Sequence, residues 1–275
     1  MSEALKTEAR WSVPEGYTGE RLAAEDARFA PDMARHLAAY YLVGPLVAGK
    51  RVLEAGCGEG YGAGLMARHA AEVVGVDYDA TAIGLAASRH SRPNLEFRRI
   101  DLLELAKSAP GSFDVVTNFQ VLEHLEDPSP FLRAAAACLK PGGALVLTTP
   151  NRLASVSENP YHVHEYVADE LHQTLARFFA SVDVRGIVGT DRVYAFERAR
   201  GAQAQRILRL DPLGLRHLLP ESLTKFAFAR LALLVRSRVA RQAGDLISLS
   251  PEDFSIADRE PPQWIDLLAF ARRGE

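Results

Sequence analysis

Two cysteines, Cys57 and Cys138, are all this 275-residue chain contains. Isolated thiols cannot build a disulfide framework or a cysteine-rich zinc site, and they fit a reducing, cytoplasmic compartment. Positive charge is not in excess either. The formal net charge is -3, so no global field draws nucleic acid. No long apolar run is present. The most apolar stretch, Phe226 to Val235, is interrupted by Arg230 and is too short for a bilayer. The opening MSEALKTEAR has no apolar region of a secretory signal. There is no internal repeat. What remains is ample core material, with 48% hydrophobic and 24% charged residues.

From Arg51 onward short apolar runs alternate with longer Ala- and Leu-rich stretches. Strands are expected at 51–55, 72–76, 95–99, 113–119, 144–149 and 181–188, and a last one within 264–270. Helices are expected at 62–70, 80–90, 129–139 and 167–178, with LKPGG (139–143) as a helix stop and turn. This alternation predicts an α/β fold with a doubly wound, Rossmann-like, seven-stranded, mostly parallel sheet and helices on both faces. Residues 1–45 read as an N-terminal helical arm, with a helix over 21–43 broken before Pro31. The core is expected over 46–190 plus 245–275, and 191–244 as a helical insertion before the last strand. Residues 206–241 carry eight basic side chains against Asp211 and Glu221, interleaved with Leu and Phe. That segment reads as one or two amphipathic helices, serving as an acceptor lid, a homodimer contact or a peripheral membrane contact.

The stretch VLEAGCGEGYG (52–62) places glycines at 56, 58, 60 and 62 between an expected strand and helix. Bare backbone there admits a ligand close to helix N–H groups. Gly58, Gly60 and Ala63 satisfy a loose dinucleotide pattern, and Asp77 at the end of the second strand suits ribose hydroxyls. These two features specify a nucleoside cofactor and leave NAD and other nucleosides open. Cys57 reads as a small residue in a tight loop, and Cys138 as core. Gly62 reads as helix packing.

Three further stretches follow in order: RRIDLLEL with Asp101, FDVVTNFQVLEHLEDP (113–128) and CLKPGGALVLTTPN (138–151). Together they resemble class I S-adenosylmethionine-dependent methyltransferases over roughly residues 35–190 and the final strand. The resemblance implies that Glu54 and the backbone of Gly56, Gly58 and Gly60 hold the amino-acid end of the cofactor. It implies Asp77 on the ribose, Tyr78 beside the adenine, Asp101 and Leu102 reading the adenine, and Asn118 and Gln120 near the sulfonium.

For the chemistry, a hydroxyl acceptor benefits from a general base, and three histidines fall near the expected carboxyl ends of the strands: His124, His162 and His164. His124 also reads as part of a helix start, with the EHLED carboxylates solvated. NPYHVHEY (159–166) resembles a segment of sugar- and glycolipid-linked methyltransferases. His162, His164 and Glu165 offer three donors without a fourth, so no metal site is expected. Tyr17, Arg21, Tyr40 and Tyr161 are candidates for an acceptor-side lid. The expected reaction is O-methylation of a sugar, oligosaccharide or glycosylated metabolite, including at its margin a sugar-decorated redox peptide. Alternatives are a quinone or polyketide-type phenol, an N-methyltransferase, an NAD-dependent oxidoreductase and a non-catalytic cofactor-binding subunit.

Overall fold

The computed structural model describes residues 27–107, 110–155, 159–209, 221–242, 248–257 and 264–275. The lid candidates Tyr17 and Arg21, and part of the basic segment 206–241, lie outside the described residues. The chain divides into two compact units. One comprises Met1–Ala38, Ser155–His162 and Gly189–Phe254, and the other Ala39–Ala154, Val163–Val188 and Ser255–Glu275.

The larger unit is built on the sheet. Its strands are β1 (Arg51–Ala55), β2 (Glu72–Asp77), β3 (Leu95–Arg99), β4 (Phe113–Phe119), β5 (Leu139–Pro150), β6 (Ser181–Gly189), β7 (Phe254–Ala257) and β8 (Asp266–Arg272). Their spatial order is β3-β2-β1-β4-β5-β8-β6-β7. β1, β2, β3, β4 and β5 pair in parallel, whereas β8 runs antiparallel to both β5 and β6. The sheet thus has eight strands, one more than the seven expected. The additional strand, β7, is only four residues long, too short to register as a period-2 pattern.

Five helices belong wholly or in part to this unit: α1 (Ala30–Val47), α2 (Tyr61–Met66), α3 (Ala80–Arg89), α4 (Ser129–Cys138) and α5 (Ala168–Ala176). The chain moves from β1 out to β3, then returns to β4 and moves the other way. Right-handed crossovers therefore put the first helices and the later ones on opposite faces. The reversal between β1 and β4 creates a crevice at the carboxyl ends of these strands. One face buries Leu53, Val74, Val116 and Leu145 with Phe131, Leu132, Leu171 and Leu175. Alternation sends Val52 and Glu54 to the other face.

The break expected before Pro31 falls where α1 begins: a 3₁₀ turn over Ala27–Phe29 gives way to the α-helix at Ala30, with Pro31 in its first turn, where its missing N–H costs nothing. Two local expectations need correction. α2 ends at Met66 rather than residue 70. LKPGG is not a separate turn but the start of β5, with Gly142 at φ 71° and a register shift between Phe113 and Val115.

The smaller unit holds α6 (Asp191–Leu208) and α7 (Glu221–Gln242), the two helices expected between β6 and the last strand. Asp32, in the first turn of α1, ties them together. It accepts from Arg200 of α6 at 2.7 Å and Arg236 of α7 at 2.9 Å. Burial favours its neutral form, but the two guanidiniums prevail and hold the carboxyl at about 2. Arg236 also lies 4.5 Å over the Phe29 ring. Among the described residues, no helix is long and apolar enough to cross a membrane.

Candidate functional site

The glycine loop leaves β1 in a conformation that L side chains resist. Gly56, Gly58 and Gly60 have φ values of 84°, 51° and 80°. A Cβ on Gly56 would meet Val121 at 2.6 Å, and one on Gly60 would meet Phe97 at 2.6 Å. A Cβ on Gly58 would meet nothing within 4 Å, so bare backbone faces open space there. The loop is fastened from β2. Asp77 accepts the Gly58 N–H on Oδ2 and the Asp79 N–H on Oδ1, both at 3.0 Å. Asp79 then caps α3 by accepting from Thr81. Asp77 is buried beside the loop.

Glu54, at the end of β1, is 2% exposed. Its Oε1 accepts from the Tyr40 hydroxyl at 2.6 Å. Its Oε2 is buried without a hydrogen-bond partner. Burial pushes this carboxyl up to about 8, against the opposing Tyr40 hydroxyl and the Ala63 N–H. Asn118, at the end of β4, repeats the pattern. Its Nδ2 donates to the Ala55 carbonyl at 2.8 Å, while Oδ1 is buried and unpartnered. Two orphaned acceptors at the reversal point mark where a ligand would supply hydrogen bonds.

Tyr40 is not a lid residue. It is 6% exposed, and its ring meets Tyr61 and Phe119 edge-on, with centroids 5.9 and 4.8 Å away. A Cβ on Gly62 would lie 2.1 Å from that ring, so Gly62 is the space Tyr40 fills. An aromatic packed on a glycine 22 residues later in the chain leaves no periodic signal, so its inward orientation was not legible from the chain.

Of the remaining expected cofactor contacts, Tyr78 is 68% exposed. Asp101 is exposed, with Oδ1 accepting the Leu103 N–H at 2.9 Å, and Leu102 is buried beneath it. Gln120 sits at φ 55°, the one non-glycine with positive φ among the described residues. Its Nε2 donates to Asp266 Oδ1 at 3.2 Å and to Thr148 Oγ1 at 3.4 Å.

The EHLED carboxylates are not all solvated. Glu123 is 1% exposed, its Oε2 accepting from the Thr149 hydroxyl at 3.0 Å. Its carbonyl accepts the N–H groups of Val163 and His164, so main chain covers the turn. Asp266, 2% exposed at the start of β8, is a second buried carboxylate that the sequence reading missed. Its place directly after Trp264 and Ile265 in an apolar run was the available signal.

The three histidines differ. His124 follows Glu123 in a 3₁₀ turn, its Nε2 4.0 Å from Glu123 Oε1. His164 is committed elsewhere: its Nε2 lies 2.7 Å from Glu170 Oε1, and its ring meets Tyr166 edge-on. Both contacts fix the orientation of the ring. His162 and Tyr161 belong to the smaller unit. There His162 Nε2 is 2.8 Å from Asn159 Nδ2, and Tyr161 meets Phe228 at 6.2 Å.

Comparison with known proteins agrees with this geometry. Residues 26–185 match the family model described as a methyltransferase domain. A Mycobacterium tuberculosis protein named a probable S-adenosylmethionine-dependent methyltransferase is 44% identical over 146 residues, 51% of this chain and 52% of the relative. A ubiquinone biosynthesis O-methyltransferase of Albidiferax ferrireducens is 39% identical over 153 residues, 50% of this chain and 61% of the relative. The chain thus spans about half to three fifths of the length of these curated relatives. Among solved structures, a SAM-dependent methyltransferase from Thermotoga maritima superposes with a TM-score of 0.57 at 14% identity, covering 88% of this chain and 91% of that one. At that identity the likeness concerns the fold.

Proposed function

The chain belongs to the methyltransferase domain family, and on that premise we propose that it transfers a methyl group from S-adenosylmethionine to a hydroxyl of a small acceptor. The observation that carries this reading is the unpartnered, buried Oε2 of Glu54 beside the open backbone of Gly58. A cationic amino group with a carboxylate next to it suits that pair of features better than a phosphate does, because a buried carboxylate repels anions. When bound, S-adenosylmethionine supplies an electrophilic methyl group on sulfur. Glu54 and the loop of Gly56, Gly58 and Gly60 hold its amino-acid end. Asp77 takes the ribose hydroxyls, Tyr78, Asp101 and Leu102 attend the adenine, and Asn118 and Gln120 stand near the reacting carbon. Much of the rate then comes from holding the acceptor oxygen close and in line.

The acceptor class divides two observations. NPYHVHEY favours a sugar hydroxyl, whereas the ubiquinone biosynthesis O-methyltransferase among the relatives favours a phenol. A panel of catechols and glycosides with radiolabelled methyl donor separates them. The cofactor reading is tested by calorimetry with S-adenosylhomocysteine. Asp77→Ala removes a charged acceptor of two ribose hydrogen bonds and should weaken binding by on the order of 3 kcal/mol. An unchanged affinity, or equally tight binding of NAD to the parent protein, sinks the reading.

A further inference from the structure

The buried stripe of α1 has a gap in its middle. Tyr40, Val43 and Val47 recur at helical spacing and are buried. Gly44 lies on the same stripe, four residues after Tyr40, where a side chain would pack beside the tyrosine. It supplies none, and a Cβ there would meet nothing within 4 Å. Pro45 follows inside the helix and has no N–H to close the helical ladder. The result is a cavity of about 340 Å³ between α1 and α2. Leu65 and Met66 of α2 line it together with Tyr40, Gly44 and Val47, so its interior is apolar. Its rim carries Arg68 and His69, both exposed, and among the described residues no aspartate or glutamate lines it. Arg68 has no ion-pair partner among the described residues.

Tyr40 joins this cavity to Glu54. Its ring fills the space left by Gly62 and meets Tyr61 and Phe119 edge-on, while its hydroxyl donates to Glu54 Oε1 at 2.6 Å. The same ring lines the cavity, which leaves it room to move off Glu54. We infer that the cavity between α1 and α2 binds a small aromatic carboxylate, with its ring among Tyr40, Val47, Leu65 and Met66 and its charge at Arg68, and that occupancy tightens cofactor binding by keeping Tyr40 on Glu54. The coupling, though not the site itself, rests on the reading of Glu54 as the residue that meets the cofactor.

Size, polarity and charge each narrow the ligand. The cavity lies at the lower end of the range for small-molecule sites, roughly 300–1,000 Å³, which suits one or two fused rings. Water gains little in an apolar cavity because it finds few polar partners there, whereas an apolar ring gains packing. At the rim, the Arg68 guanidinium offers paired, charge-assisted hydrogen bonds to a carboxylate, and no lining carboxylate competes for it. A cationic ligand would meet repulsion at the same place. The coupling follows from population shift. A guest that fills the space beside Tyr40 is compatible only with the tyrosine seated against Gly62, which is the arrangement that reaches Glu54.

The test uses the whole chain, with 2-naphthoate as the anionic probe and 2-naphthamide as its neutral counterpart. Calorimetry should find one naphthoate site per chain. Arg68→Gln should weaken naphthoate about tenfold and leave naphthamide unchanged. Gly44→Leu, which puts a side chain into the open space, should abolish binding of both probes, with circular dichroism to check that it folds. Saturating naphthoate should raise the affinity for S-adenosylhomocysteine about fivefold, and S-adenosylhomocysteine should raise that for naphthoate by the same factor. In Tyr40→Phe, which keeps the ring and loses the hydroxyl, naphthoate should still bind and the fivefold effect should vanish. Failure of naphthoate to bind the parent protein overturns the proposal, as does binding that is unchanged in both Arg68→Gln and Gly44→Leu. Naphthoate that leaves S-adenosylhomocysteine affinity unchanged, or lowers it, overturns the coupling. A parent protein that sediments as a dimer and becomes monomeric in Gly44→Leu gives the cavity to a second copy of the chain and overturns the proposal too. If S-adenosylhomocysteine does not bind at all, the cofactor reading fails and the coupling with it, and the naphthoate titrations still decide the site.

Discussion

Replacing Glu54 with glutamine should make the ligand-free protein more stable and a worse binder. The carboxyl is 2% exposed, and burial raises it from an ordinary 4.5 to about 8. A raised acid holds more protons folded than unfolded between those two values, so its contribution to stability declines as pH climbs from 4.5 to 8. At pH 7 the charged unfolded form has gained most of that range, which corresponds to a penalty of about 3 kcal/mol at 1.36 kcal/mol per pH unit. Glutamine keeps the shape and an acceptor for the Tyr40 hydroxyl but never ionises. Denaturant unfolding should therefore show the variant stabilised by up to about 3 kcal/mol at pH 7, with the gain vanishing near pH 4. On the proposed reading, the same change removes the anion that would meet the amino group of the cofactor. S-adenosylhomocysteine binding should weaken by about 2 kcal/mol, the cost of one charged hydrogen bond. Calorimetry in two buffers of different ionisation enthalpy adds an independent check. Near pH 7 a group with a pKa of about 8 is about nine-tenths protonated, so binding should release close to one proton per site in the parent protein and none in the variant. Equal stability at pH 7 together with no proton release in the parent would refute the reasoning, because both follow from the same buried, unpartnered oxygen.

Other outcomes follow from packing and charge. Gly62→Ala places a methyl 2.1 Å from the Tyr40 ring, and thermal unfolding should register a loss of about 1–3 kcal/mol, accompanied by weaker cofactor binding as Tyr40 leaves Glu54. Asp32→Asn leaves Arg200 and Arg236 facing each other without their common partner, and should cost about 3 kcal/mol in urea unfolding. In the parent protein, the contribution of Asp32 is fully present above pH 3.8 and lost as pH falls through about 2, so acid unfolding of Asp32→Asn should lack that limb.

Several elements were readable in the chain because local chemistry alone specifies them. Strands buried on both faces read as short apolar runs, which is why β1 and β4 have the bounds expected of them; the edge strand β3 also has its expected bounds, although none of its residues is buried. The glycines at 56, 58 and 60 announced a backbone that only glycine accepts, and their φ values agree. Other features have no local signature. Whether Tyr40 faces outward or inward depends on Gly62 being bare, and whether Glu123 is solvated depends on Val163 and His164 arriving from residues 40 positions later. Nor does NPYHVHEY announce that His164 pairs with Glu170, a residue of the following helix.

The division has a physical cause. Periodicity, glycine conformation and strand-end carboxylates are properties of short segments, so the sequence by itself determined an α/β sheet, its glycine loop and an acidic residue at the end of the second strand; that this residue fastens the loop is a tertiary contact. Burial is a property of neighbours distant in sequence. Only the tertiary structure decided that Glu54 and Asn118 each keep an unpartnered oxygen, that Glu123 sits beside His124 and Thr149, and that Asp266 joins them from the last strand. Burial raises the proton affinity of Glu54 and Glu123 against the contacts with Tyr40, His124 and Thr149 that lower it, because desolvation acts on a group according to what surrounds it and not according to what precedes it in the chain.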